Sequence, residues 1–273
     1  MNDQEIFHSF INEGTFTCQM LSSGATQIRQ ANYSKKGLYF QAFTNLSTGF
    51  ERIGKLIIIS NYMLKNGGEL PKSKYLKENV RHDLEKISII CKKIKLENSY
   101  IFSLQDNIDD PIYSKIFYVL SRFAKGDRYS NIDFLTDDRN YVDPIILWNK
   151  DIDQYLFETY ISKKKKSTIK LNARIADKQM NNYSAVYHQS DDGKLIQDIY
   201  LGSLQTGITE AIVPLRQLYI LKLIRYYVEL LWAIEHDLRK SGINNIAFFG
   251  EIFGRFYNND SYLKSQKNWE KFT

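Results

Sequence analysis

The stretch GLYFQAFTNLSTGFERIGKLIIISNYMLK, residues Gly37–Lys65, decides the fold. Its apolar side chains recur at steps of three and four residues, which is the spacing of one face of an α-helix, and polar side chains follow the opposite face. The spacing therefore predicts a long amphipathic helix. The Asn-Gly-Gly that follows and Pro71 end it, because glycine readily takes the left-handed conformation of a helix end and proline cannot continue the helix. The predicted apolar face consists of Tyr39, Phe43, Leu46, Phe50, Ile53 and Ile57.

Three further helices are predicted between this stretch and residue 161. One begins at Pro111 and stops at Gly126, and another follows the pair Asp143-Pro144, which suits a helix cap and a first helical turn. The scarcity of proline, with 4 residues in the chain, also favours helices. The first of these three helices has an apolar face made of Leu76, Val80, Leu84, Ile87, Cys91 and Ile94.

The two ends of the chain are patterned differently from this central part. Residues 1–31 are weakly patterned, and we expect a short helix over Gln4–Asn12 followed by a strand or a loop. The run Lys163–Lys166 and the polar stretch Ile169–Gly193 are typical of a solvated connection with at most short elements. A long helix is predicted over Leu215–Lys240, and we expect the aromatic-rich tail after it to fold back on the core as a final helix.

Together these elements predict an all-α protein in three parts. The parts are an N-terminal segment, residues 1–31; an antiparallel helical bundle, residues 32–162; and a helical C-terminal extension packed on the bundle, residues 163–273. A chain of 273 residues is long enough to bury a substantial core.

The composition limits the partners and the compartment. The chain has 37 basic and 31 acidic residues, a net charge of +6, which permits attraction to phosphate backbones without requiring it. Its start is acidic where a secretory signal would be basic, and its longest apolar stretch, Ile53–Leu64, is interrupted by polar residues and too short for a membrane span. Cys18 and Cys91 show no pairing pattern. We therefore expect a cytoplasmic protein without a membrane partner.

The usual motifs of metal and cofactor chemistry are absent from the sequence. The four histidines are His8, His82, His188 and His236, and none belongs to an HExxH motif or a similar metal-binding pair. The glycine-rich fingerprints of dinucleotide sites, phosphate-binding loops and serine hydrolases are missing as well. We expect neither a metal site nor a cofactor.

The triplet Arg81-His82-Asp83 is the candidate for chemistry. Histidine and arginine together suit metal-independent RNA cleavage, because histidine moves the proton and arginine stabilises the charge on phosphorus. The other interpretation is structural. If the helix runs on from Leu76, His82 points away from the apolar face. If it starts at Asp83, His82 lies at its N-terminus, where the acidic residue favours the helix dipole.

Three stretches occur in an order that resembles the HEPN superfamily of compact helical domains. They are YFQAFTNLSTGFERIGKLIII (Tyr39–Ile59), HDLEKI (His82–Ile87) and LSRFAKGDRYSNIDFL (Leu120–Leu135), and they cover roughly residues 32–160. The first is similar to an early family helix with an acidic residue and a lysine after aromatic and small residues. The second is similar to a His-Asp-Leu that opens the next helix, and the third to a helix end that leads into an arginine-containing loop.

The resemblance implies a HEPN-like bundle of a bacterial defence or stress protein that binds RNA, with or without metal-independent cleavage. It also implies a homodimer, with a seam on Gly37–Lys65 or Leu215–Lys240, and an antitoxin or other defence partner. Ribonucleolytic members carry an arginine shortly before the histidine, and this chain has no arginine five to seven positions before any histidine. The expected site residues are therefore His82 as proton carrier with Arg81, Asp83 and Arg128. The alternative is a non-catalytic module that regulates or binds a partner.

Overall fold

Helices account for most of the residues that the computed structural model describes, which are 2–104, 108–137, 142–180, 183 and 186–272. The prediction of an all-α protein is confirmed at the level of fold class. A small antiparallel pair of strands, β1 His188–Gln189 and β2 Leu195–Ile196, precedes the longest helix. None of the helices in the described part of the chain combines the length and the hydrophobicity that crossing a bilayer requires.

The α-helices follow one another along the chain, some directly and some after longer segments. Three single turns of other helix types lie between α-helices: 3₁₀ turns at Asp127–Tyr129 and Gly254–Phe256, and a π turn at Asn149–Asp153. A further 3₁₀ turn, Glu270–Phe272, follows the last α-helix. The α-helices are α1 Asp3–Gln30, α2 Gly37–Lys65, α3 Ser73–Asn79, α4 Leu84–Glu97, α5 Pro111–Lys125, α6 Ser130–Leu135, α7 Pro144–Trp148, α8 Gln154–Tyr160, α9 Lys163–Met180, α10 Ile199–Lys240, α11 Phe249–Phe253 and α12 Asp260–Ser265.

Three long helices, α1, α2 and α10, pack against one another and form the centre of the protein. The buried apolar side chains make one connected cluster that reaches from Phe10 to Trp269. It draws on all three predicted parts of the chain, through residues such as Phe10, Phe50 and Ile220. The division at residues 31 and 162 stays a prediction, but a single core spans both boundaries.

Helix α1 corrects the expectation of a short helix over Gln4–Asn12 followed by a strand or a loop. The helix runs for 28 residues, and a capping box between Asn2 and Glu5 starts it. Many of its inward side chains are small or polar, so no apolar stripe marks it in the sequence. The buried residues of α1 are Phe10, Gly14, Thr17, Cys18, Leu21, Ser22, Gly24, Ala25, Thr26 and Ile28.

Helix α9 corrects a second expectation. The stretch from Lys163 to Met180 was predicted to be a connection, but it is an 18-residue helix that lies along α10. Its buried residues are Ile169 and Ala173, and Gly207 of α10 leaves room for the side chain of Ile169. Two buried positions in eighteen are too few to produce a visible apolar pattern.

Helix α10 begins earlier than predicted. Asp198 caps its first turn by accepting a hydrogen bond from the N–H of Leu201, at 2.7 Å, and the helix then runs for 42 residues with Pro214 inside it. Proline is unusual inside a helix because it lacks the N–H that an interior position donates. Packing against α1, α2 and α9 holds the helix continuous through this position.

The tail returns to the core as predicted, although as the short helices α11 and α12. Buried polar groups of α10 hold it. Glu235 accepts hydrogen bonds from the N–H groups of Phe249 and Gly250, at 2.8 and 3.2 Å. Arg225 donates to Asp260, at 2.7 Å, and Gln217 donates to a backbone carbonyl at the end of the tail.

The helix predicted to carry Leu76 to Ile94 on one face is divided into α3 and α4, because the chain turns at residues 80–83, whereas the boundaries below agree with the structure. Helix α2 has the predicted bounds, α5 begins at Pro111 and ends before Gly126, and Asp143 caps α7. The apolar faces of α2 and α10, which were expected to supply a dimer seam, are buried within one chain.

Helices α1 and α2 approach each other closely through a reciprocal pair of glycines. A Cβ atom on Gly24 would lie 2.6 Å from Cγ of Leu46, and one on Gly49 would lie 2.7 Å from Cδ2 of Leu21. Each leucine thus fills the space that the opposite glycine leaves. Because the contact also reaches the backbone of both leucines, at 3.2 and 3.4 Å, the helices would have to separate to admit a methyl group.

We predict that Gly49→Ala lowers the free energy of unfolding by about 1–3 kcal/mol, the usual cost of overpacking a core. This sign is opposite to that of helix propensity, which favours alanine by about 1 kcal/mol. Urea unfolding measures the change. Gly37→Ala is the matched control, because a Cβ atom there meets nothing within 4 Å and stability should not fall. Equal or higher stability of Gly49→Ala would contradict the close approach.

Candidate functional site

Three of the four predicted site residues, Arg81, His82 and Asp83, lie at a break between α3 and α4. Val80 is buried, and the chain then turns through Arg81, whose φ of 46° is in the left-handed region. The N–H of Asp83 donates to the carbonyl of Val80, at 3.0 Å, and closes the turn. Of the two interpretations of this segment, the one in which the helix starts at Asp83 is confirmed, because α4 begins at Leu84 with Asp83 as its cap.

Both oxygens of Asp83 are engaged. Oδ1 accepts hydrogen bonds from the N–H groups of Glu85 and Lys86, each at 3.1 Å, and Oδ2 lies 3.1 Å from Nζ of Lys125 in α5. Burial raises the pKa of the Asp83 carboxyl, but the N–H of Lys86 and the ammonium of Lys125 outweigh burial and hold the pKa below its usual value. Asp83 thus starts α4 and ties it to α5.

His82 is open to solvent, with its side chain 83% exposed. Its Nδ1 lies 2.9 Å from Oε1 of Glu51, a residue of α2 whose side chain is 19% exposed. The same oxygen accepts a hydrogen bond from Nζ of Lys55, at 2.6 Å. A carboxylate on Nδ1 fixes the orientation of an imidazole ring and favours the tautomer that carries its proton there. That leaves Nε2 as the nitrogen that can accept a proton.

Two clefts meet at His82 and Lys125, and together they contain all four predicted site residues. The cleft on the α2 and α5 side, of about 480 Å³, includes Glu51 and Arg128. The cleft on the α3 side, of about 520 Å³, includes Arg81 and Asp83. The guanidinium of Arg128 lies over the ring of Tyr129, 5.0 Å from its centroid, and both side chains are exposed.

Sequence reasoning missed Glu51 as part of this site. Its four-residue spacing to Lys55 predicts an ion pair on one helix turn, and the structure contains this ion pair. No local pattern, however, indicates that this carboxylate of α2 contacts a histidine 31 positions later. The contact depends on the packing of α4 against α2.

A second polar cluster, fully buried, was also missed. Arg216 of α10 donates through Nε to Oδ1 of Asp153, at 2.6 Å, and through Nη1 to the carbonyl of Ala31, at 2.9 Å. The indole N–H of Trp148 donates to the same Asp153 oxygen, at 3.0 Å. The π turn that ends at Asp153 carries this residue, and burial raises its pKa to about 6, although the guanidinium of Arg216 acts in the opposite direction.

The hairpin that contains β1 and β2 is joined to this cluster. Asp191, between the two strands, is buried and accepts a hydrogen bond from the hydroxyl of Tyr39, at 2.9 Å, and its Oδ2 lies 3.9 Å from Nη2 of Arg216. One guanidinium therefore faces two buried carboxylates. The cluster connects the hairpin, the π turn, α2 and α10.

Among the described residues, no group of three or more histidine, cysteine, aspartate or glutamate side chains is arranged to hold a metal ion. Cys18 and Cys91 are buried free thiols, and burial raises the pKa of both. A raised pKa disfavours the thiolate, which is the reactive form of cysteine.

Comparison with known proteins adds no assignment. No family model, curated protein or solved structure matches the chain. The HEPN resemblance therefore stays a prediction.

Asp83 gives a prediction about pH. Asparagine also caps a helix, so Asp83→Asn removes the charge and keeps the cap. Because the pKa is lowered in the folded protein, the charge stabilises the fold above the usual aspartate pKa of about 4, and this effect is lost as the pH falls through the folded-state value. Wild type should be more stable than Asp83→Asn at neutral pH, and the difference should shrink as the pH falls below about 4, as measured by urea unfolding. A difference that persists in acid would contradict this account.

The buried cluster gives a prediction about stability. Arg216→Met leaves two buried carboxylates without a cation and should lower the free energy of unfolding by about 3–5 kcal/mol. The double variant Arg216→Met, Asp153→Leu removes one of these two charges, and Asp191 keeps its hydrogen bond from Tyr39, so the double variant should regain part of that loss. Chemical unfolding of both variants measures the effect. A loss below about 1 kcal/mol in the single variant would show that the ion pair does not hold these elements together.

Proposed function

We propose that the protein binds RNA in the clefts beside His82 and cleaves it without a metal ion. The observation that carries the proposal is the exposed imidazole of His82, oriented through Nδ1 by the carboxylate of Glu51, at 2.9 Å, and next to a cleft that Lys125 and Arg128 also line. A histidine whose ring is held by a carboxylate is the usual arrangement of a general base.

The roles of the side chains follow from their positions. Nε2 of His82 takes the proton of a ribose 2′-hydroxyl, and the 2′-oxygen attacks the neighbouring phosphorus. The bond from phosphorus to the 5′-oxygen breaks, and the leaving oxygen takes a proton from water, which gives a 2′,3′-cyclic phosphate and a 5′-hydroxyl. Arg128 and Lys125 stabilise the negative charge on the phosphoryl oxygens, and Arg81, on the other side of His82, binds the adjoining phosphate.

The three segments of the HEPN resemblance support this assignment by their positions. Glu51 comes from the first segment, His82 from the second and Arg128 from the third, and all three line one cleft. We therefore keep a HEPN-like bundle as the proposed fold family. A homodimer and a defence partner such as an antitoxin belong to the same proposal. The exposed apolar side chains of α6 beside Arg128, Ile132 and Leu135 among them, offer a surface for such contacts.

A non-catalytic regulatory or partner-binding module is the second candidate, and one observation favours it. Asp83 has a structural role as helix cap and ion-pair partner, and Arg81 lies at the turn before it. In this candidate, the contact between His82 and Glu51 serves to join α4 to α2, and the clefts perform no chemistry.

RNA cleavage in the presence of a chelator separates the two candidates. We expect wild-type protein to cleave RNA, and His82→Ala to lose about 10²–10⁴-fold of the rate, because it lacks the general base. Glu51→Gln should lose about 10–100-fold through a less well-oriented ring. His236→Ala is the matched control, since it removes an exposed histidine from α10 and should leave the rate unchanged.

The binding of the same RNA decides among the remaining outcomes. If wild type binds RNA and Arg128→Gln weakens this binding, but neither protein cleaves RNA, the second candidate, a non-catalytic module, is correct and catalysis is excluded. If wild type neither binds nor cleaves RNA, both parts of the proposal are wrong. Equal rates for wild type and His82→Ala would assign the cleavage to other groups.

A further inference from the structure

The net charge of the protein is concentrated in α9. This helix has seven basic residues and one acidic residue, a net charge of +6, and the whole chain also has a net charge of +6. The remainder of the chain is thus neutral overall. Such an asymmetry is typical of a surface that meets a polyanion.

The basic residues of α9 face outward. Ile169 and Ala173 turn the opposite side of the helix toward α10. At 100° per residue, five cations fall within an arc of about 120° whose centre lies about 140° from the direction of this contact. All five are exposed, and they are Lys163, Lys164, Lys170, Arg174 and Lys178.

None of these five cations has an acidic partner among the described residues. Lys166, which lies closer to α10, does form an ion pair, with Glu158. Elsewhere cations such as Lys55, Lys65 and Arg122 are paired with carboxylates. Lys170, Arg174 and Lys178 follow one another at four-residue spacing, where like charges repel and weaken a helix. A row of this kind leaves its charge available for a ligand.

We propose that the outer face of α9 binds the phosphate backbone of single-stranded RNA, independently of base sequence. From Lys163 to Lys178 the row is about 22 Å long, so it can contact several consecutive phosphates. Tyr187, shortly after the helix, is 78% exposed and can stack on an unpaired base. Phosphate contacts of this kind bind and position RNA without reading its sequence.

A membrane surface fits α9 less well than RNA does. A helix that lies in a bilayer interface buries a wide apolar face with aromatic or leucine side chains. The apolar side of α9 is already buried on α10, and its outward apolar residues are Leu171 and Ile175, set among the cations. RNA and an anionic membrane both present phosphate groups, so binding to each of them has to be measured.

This surface is separate from the clefts at His82 and does not rest on the cleavage proposed there. It lies on the N-terminal half of α10, where Gly207 contacts Ile169, whereas His82 contacts α2. A variant of one surface can therefore be tested with the other intact.

The test is the binding of a fluorescent oligouridine of about 20 nucleotides over a range of salt concentrations. We expect the triple variant Lys170→Gln, Arg174→Gln, Lys178→Gln to bind about 100-fold more weakly near 0.1 M salt. The slope of log affinity against log salt should become shallower by about 2, since each lost phosphate contact removes about 0.7 for a single strand. Glutamine has nearly the helix propensity of lysine and arginine, so circular dichroism should be unchanged.

The matched control carries Lys65→Gln, Lys93→Gln and Lys240→Gln, which remove the same charge from exposed positions away from α9. It should bind RNA as wild type does. Equal weakening of the control and the α9 variant, or no weakening of either, would overturn the proposal. It would also be overturned if the α9 variant kept its RNA affinity and lost binding to phosphatidylserine vesicles, which would identify a membrane as the partner.

Discussion

The burial of α10 is the constraint on which the rest of the structure depends. A helix of 42 residues that packs against α1, α2 and α9 cannot keep all of its polar side chains in water, and buried charges are tolerated when they are paired and hydrogen-bonded. The polar groups of α10 therefore dictate what lies against it. Arg216 requires Asp153, and so fixes the π turn and the end of α1, while Glu235 and Arg225 hold the C-terminal tail.

The placement of α2 follows from the same core, and the candidate site follows from α2. Because Gly24 and Gly49 let α1 and α2 meet closely, and α10 covers another side, the rotation of α2 about its axis is fixed. That rotation directs Glu51 toward the start of α4, where it meets His82. The contact between Glu51 and His82 therefore depends on the packing of α1 and α10 against α2, which lies far from the site.

Local signals explain which parts could be predicted from the sequence. Helix α2 has an uninterrupted apolar stripe and glycines after its end, and α5 and α7 have proline starts with aspartate caps, so the bounds of α2 and α5 and the start of α7 could be predicted. Helix α1 could not, because close packing lets glycine, serine and threonine face the core in place of large apolar residues. Helix α9 could not be predicted for a related reason, because it packs on α10 through two buried residues, which are too few to give an apolar pattern in the sequence.

The site shows the same division between local and distant information. The start of α4 at Asp83 was one of two interpretations that the sequence allowed, because a cap is a local feature. Arg128 lies 46 positions after His82 and lines the same cleft only through the packing of α5, and the resemblance, rather than spacing, singled it out. Glu51 and the pair of Asp153 with Arg216 were missed because their partners come from other helices.

The charges of the two proposed surfaces suggest a division of roles between them. In the clefts at His82, the cations Arg81, Lys86, Lys125 and Arg128 stand beside the carboxylates Glu51, Glu78 and Asp83, so the net charge is small. Such a site attracts a polyanion weakly, but its fixed groups suit a single phosphate whose charge rises during reaction. The unpaired cations of α9 have the opposite character, because they act uniformly along a backbone. Interactions that bind substrate and transition state equally raise occupancy without raising the rate of the chemical step, so affinity can be provided by α9 while the clefts remain nearly neutral.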